Sequence, residues 1–114
     1  MRLPPKAFRS FVLVLGVGLF GSACASVPEV PANADPALEV GRDVWGARCA
    51  TCHGPSGGGG TGSVLNDGLA VERYPDIADE IAVVRDGRAN MPSFASVLSE
   101  EEIEAVVRYT REVL

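Results

Sequence analysis

The chain has one histidine, His53, and three cysteines, and these two scarcities exclude several readings. A structural zinc site takes four ligands. Cys49, Cys52 and His53 supply three, and Cys24 lies far upstream, so no second pair completes a tetrahedron. A thioredoxin-like redox pair sits among alternating strands and helices, and no such alternation is present. The pattern G-x-x-x-x-G-K-[ST] is missing too, so the glycine-rich run after residue 54 is not a phosphate-binding loop of that kind. Aromatic residues make up only 6% of the 114. A domain of about 90 residues, the length left once a leader is removed, is marginal for an apolar core alone.

What is present centres on Cys49-Ala50-Thr51-Cys52-His53-Gly54. C-x-x-C-H is the pattern of covalent haem attachment. Two thiols three positions apart can each form a thioether to one edge of a porphyrin, and the next residue brings an imidazole, a good iron ligand, under the metal. The motif occurs once, which predicts one haem c.

A second informative residue is Met91, in the loop Gly87-Arg88-Ala89-Asn90-Met91-Pro92-Ser93-Phe94. Thioether sulfur suits haem iron opposite histidine, and Pro92 biases Met91 toward extended backbone that can present its side chain inward. The competing reading is a gap-filling core methionine. Against it, Met1 leaves with the leader, so Met91 is the only methionine of the mature protein, and it lies in a loop.

The leader is expected over residues 1–23. Arg2, Lys6 and Arg9 precede the uncharged run FVLVLGVGLFGSACA, the form of a secretory signal. That run is shorter than the roughly 20 apolar residues of a membrane span. Phe20-Gly21-Ser22-Ala23-Cys24 resembles a bacterial lipobox, with Gly21 where leucine is usual, and predicts a lipidated Cys24. Ala23-Cys24-Ala25 is the competing site, cut after residue 25 to release a soluble protein. The unpaired third thiol favours the lipoprotein. Residues 24–34, with Pro28 and Pro31 and no periodicity, are expected to form a flexible tether.

The domain is expected over residues 35–114. Asp35-Pro36 starts a helix on which Leu38, Gly41, Val44, Trp45 and Arg48 recur. Trp45 reads as a packing residue. The loop of residues 55–63 should lie flat against a haem edge, with Val64, Leu65 and Leu69 as apolar contacts. Asp76 opens a second helix with Ile77, Ala78, Ile81 and Val84 on one face and Gly87 as its stop. Asp79 and Glu80 in its early turns suit the macrodipole and read as solvated. Ser99 and Glu102 form a capping box for a last helix, whose stripe is Ile103, Val106, Val107, Thr110 and Leu114, with Tyr109 and Val113 beside it.

These residues together resemble a bacterial class I cytochrome c. Gly41 and Trp45 stand eight and four positions before Cys49, at the family's places for a small residue and an aromatic where the first helix crosses the last. Val106 and Tyr109 match the apolar and aromatic positions of that last helix. The resemblance covers residues 35–114 and implies an all-α fold, three to four helices around one covalently bound haem. Many members carry a proline after the glycine-rich loop whose carbonyl accepts the proton of the axial histidine. Here Ser63-Val64 stands at that place.

The function expected from these readings is periplasmic electron transfer by a haem held by Cys49 and Cys52 and ligated by His53 and Met91. The chain is then a free carrier or the cytochrome subunit of a redox complex, not itself an enzyme. The alternative is a haem protein with a labile sixth ligand that binds a small gas or reduces peroxide, for which no second histidine provides a distal group. Loss of residues 1–23 leaves seven basic residues against 15 acids, a formal charge of −8. That balance predicts redox partners with a basic docking surface and no nucleic-acid binding. The expected location is the periplasmic side of a bacterial membrane, lipid-anchored through Cys24 or otherwise soluble.

Overall fold

A computed structural model describes residues 25–114; the leader expected over residues 1–23 and the lipidation expected at Cys24 fall outside the described residues. Helix α1 (Ala37–Val44) starts where the Asp35 carboxylate accepts the Ala37 N–H at 2.9 Å. It continues through a π-helical turn (Trp45–Cys49) into α2 (Ala50–His53), so one helical run carries the whole attachment motif. The glycine-rich loop then folds back on the end of that run. Gly59 N–H donates to the His53 carbonyl at 2.7 Å and Gly62 N–H to the Cys52 carbonyl at 2.8 Å, satisfying acceptors that a helix C-terminus leaves open.

A short helix α3 (Leu69–Arg73) follows, then α4 (Ile77–Asp86) and α5 (Glu100–Glu112). Asp76 caps α4 by accepting the Ala78 N–H at 2.9 Å, and Gly87, at φ +77°, ends it. The capping box of α5 is complete: Ser99 Oγ accepts the Glu102 N–H and the Glu102 carboxylate accepts the Ser99 N–H. Among the described residues the regular structure is helical, with one isolated bridge between Arg88 and Met91. The all-α expectation holds.

The core forms where α1 crosses α5. Gly41 lies against the Ala105 backbone, and a Cβ there would collide with the Ala105 carbonyl and lie 2.8 Å from Tyr109 Cβ. That close approach lets Trp45 and Tyr109 meet at 6.3 Å between ring centroids. Trp45, Ile103, Val106, Val107 and Tyr109 are fully buried, each contributing about 1.5–3 kcal/mol by leaving water.

Two local expectations differ from the structure. Residues 27–30, expected as tether, carry no repetitive structure but lie on the helices. Val27 and Val30 pack against the core. The Pro28 carbonyl accepts from Tyr109 Oη at 2.7 Å and Arg42 Nε at 3.0 Å, and Glu29 pairs with Arg42. On α4 the buried residue is Glu80, where solvent was expected, while Ile77, Ile81 and Val84 are half-buried and Ala78 is exposed. The cause lies on α5, whose Thr110 and Arg111 both bond the Glu80 carboxylate.

Candidate haem site

The end of α2 fixes His53. Its Nδ1 lies 2.8 Å from the Ser63 carbonyl, and a carbonyl only accepts, so Nδ1 carries the proton and Nε2 keeps its lone pair for a metal. The missing proline is therefore replaced by a serine backbone oxygen. Gly62 passes so close beneath the ring that a Cβ would lie 2.8 Å from Nδ1. Trp45 flanks the ring at 5.9 Å between centroids and is itself held by its Nε1–H, donated to the Pro55 carbonyl at 2.9 Å.

Met91 is carried by the loop that follows α4. Its loop is a tight turn, with Arg88 N–H donating to the Met91 carbonyl at 3.1 Å and Met91 N–H to the Arg88 carbonyl at 2.9 Å. Ala89, at φ +51°, sits in the middle of that turn. Ser93 Oγ–H donates to the Arg85 carbonyl at 2.6 Å and Phe94 N–H to the Val84 carbonyl at 3.2 Å, so the loop is pinned to the end of α4.

One cavity gathers Cys49, His53 and Met91, lined with Trp45, Leu65, Val84, Val106 and Val107 as its apolar walls. Cys52 is exposed, on the outer side of the motif. Burial, with the adjacent Cys52 thiol adding to it, pushes the Cys49 thiol up to about 11. Of the three apolar contacts expected near the haem, Leu65 lines the cavity, whereas Val64 and Leu69 are exposed. Two polar side chains also reach the wall: Glu80 and Thr110. Sequence reasoning placed Thr110 on the inward stripe of α5 but missed Glu80, because an acid in the first turn of a helix carries the same local signal whether solvated or buried.

An apolar cavity bounded by a thiol, an imidazole with one free lone pair and a thioether fits a haem. With α1 crossing α5 and a methionine loop supplied by α4, the molecule has the class I cytochrome c fold. The chain belongs to the cytochrome c family: the family model described as cytochrome c oxidase, cbb3-type, subunit III matches residues 36–109. It is similar to a cytochrome c6 of Bryopsis maxima, 34% identical over 86 residues, 63% of this chain and 86% of that protein. A chloroplastic cytochrome c6 of Chlamydomonas reinhardtii is 39% identical over 80 residues, covering 63% of this chain. The matched region spans 51% of that relative's length. Among solved structures, cytochrome c6 from the diatom Phaeodactylum tricornutum superposes with a TM-score of 0.54 at 30% identity, covering 64% of this chain and 88% of the other. As a member of this family the chain binds one covalent haem c.

Proposed function

We propose that this chain is an exported electron-transfer protein in which Cys49 and Cys52 hold haem by thioethers, and His53 and Met91 take its two axial positions. The observation that carries this reading is the shared cavity of Cys49, His53 and Met91, with the His53 proton committed to the Ser63 carbonyl. The cytochrome c6 relatives support the same class of activity.

Bound haem supplies a one-electron couple, and methionine opposite histidine in an apolar pocket raises its potential. The protein's own residues do the rest. His53 and Met91 together leave no open position for a substrate, which separates a carrier from an enzyme. Trp45, Val84, Val106 and Val107 exclude water. Cys49 is half-buried and Cys52 exposed, so one edge of the motif reaches the surface, where a redox partner can approach. The acidic balance of the chain selects partners with basic docking surfaces. The chain serves as a free carrier or as the cytochrome subunit of a larger redox complex.

Optical spectra of the oxidised and reduced holoprotein test the ligation, with carbon monoxide added to the reduced form. A far-red sulfur-to-iron band that disappears in Met91→Ala, and no carbon monoxide binding by the wild type, are the expected results. High-spin iron that binds carbon monoxide readily in the wild type would replace this reading with gas or peroxide chemistry.

Lipidation of Cys24 is part of the same proposal and places the protein on the periplasmic face of a membrane. Wild-type protein is expected in the membrane fraction and Cys24→Ala protein in the soluble one. A soluble wild type would rule the anchor out.

A further inference from the structure

We propose that Glu80 and Arg111 form a charge pair in the wall of the haem cavity that lowers the reduction potential of the site, an inference that rests on the electron-transfer reading above. Glu80, only 4% exposed, is the one charged residue in the buried core among the described residues. Its carboxylate accepts from the Arg111 guanidinium at 3.0 Å and lies 2.7 Å from Thr110 Oγ1, whose one proton is shared with the Val107 carbonyl, also at 2.7 Å. Arg111 is fixed in turn by donating to the Tyr74 carbonyl at 2.8 Å and the Pro75 carbonyl at 3.3 Å. Glu80 and Thr110 line the cavity together with Cys49, His53 and Met91, whereas Arg111, bonded to the same carboxylate, does not line it.

Folding does not require a charge here. A buried ion pair is often no more stable than well-packed apolar residues of the same volume, because desolvation offsets the attraction. The placement has an electrostatic consequence instead. The pair is a dipole with its negative end toward the cavity, and a nearby negative charge stabilises the more positive, oxidised state of an iron site. Two unit charges ~10 Å apart at an effective dielectric of ~20 shift a one-electron equilibrium by somewhat more than tenfold, and the guanidinium behind the carboxylate cancels part of that.

The test is a spectrophotometric redox titration of three holoproteins: wild type, Glu80→Gln and Arg111→Gln. Glu80→Gln keeps the shape and removes the charge, and is expected to shift the equilibrium toward the reduced form several-fold, up to about tenfold, where tenfold is ~59 mV. Arg111→Gln leaves the carboxylate uncompensated and is expected to shift it the opposite way. Opposite signs are the signature, since mere loosening of the pocket would admit water and lower the potential in both. No shift in Glu80→Gln, or shifts of the same sign, would overturn the proposal. Should Glu80→Gln fail to hold haem, Arg111→Gln is read against Arg111→Lys, which keeps the charge: a lower potential in Arg111→Gln alone upholds the pair, and an unchanged or higher one, or an equal fall in both, overturns it. The far-red band, recorded in the same samples, reports Met91 ligation separately, so failure of the charge pair and failure of the carrier reading give different results.

Discussion

Gly62 has no side chain where His53 fills the space one would need: a Cβ would lie 2.8 Å from Nδ1 and 2.9 Å from Cε1. Gly62→Ala should tilt the ring away from the Ser63 carbonyl and weaken axial ligation by about tenfold or more, as loss of a supporting hydrogen bond does at metal sites. A growing high-spin component in the holoprotein spectrum is the readout. Tyr109 makes a pH prediction. Burial pushes its hydroxyl from 10.0 up to about 12, which favours the neutral form that donates to the Pro28 carbonyl. A raised value means that this stability is complete below about pH 10 and is lost as pH rises toward about 12. Denaturant titrations of the holoprotein should show that loss, and Tyr109→Phe should lack it. At this scale the sequence pointed to the residues that the structure gathers round one cavity: Cys49 and His53 by their local spacing, and Met91 as the one methionine among the described residues. Glu80 was not, since its partners stand 30 and 31 positions away on another helix.

Among the elements, the α1–α5 crossing depends on one position. Gly41→Ala would drive a methyl group into the Ala105 backbone, which cannot move without shifting α5. The expected cost is ~3 kcal/mol or more, at the upper end for overpacking, measured by guanidinium denaturation of the holoprotein. The crossing was legible from the pairing of Gly41 and Trp45 with Val106 and Tyr109, and the caps of α4 and α5 from Asp76, Gly87, Ser99 and Glu102. Two elements were not. Helix α3 is five residues long, too short for periodicity to reveal, and it follows Gly68 at φ +82°. Residues 27–30 have the composition of a linker, and what orders them is a tyrosine and an arginine elsewhere in the chain.

For the whole molecule, the cavity lined by His53 and Met91 is also lined by Val84 of α4 and by Val106 and Val107 of α5, so these elements meet round a space rather than on one another. Haem therefore completes the core, and protein made without it should be largely unfolded. A well-dispersed amide spectrum of the haem-free chain would contradict that. Net charge also acts at this scale: association with a basic partner should slow steeply between low and physiological ionic strength, as measured by stopped flow.

The clasp of Pro28 by Tyr109 joins residues 81 positions apart. The same carbonyl also accepts from Arg42 on α1. One backbone oxygen thus ties the first described segment to both the first helix and the last, so its loss would loosen the two ends of the described chain together.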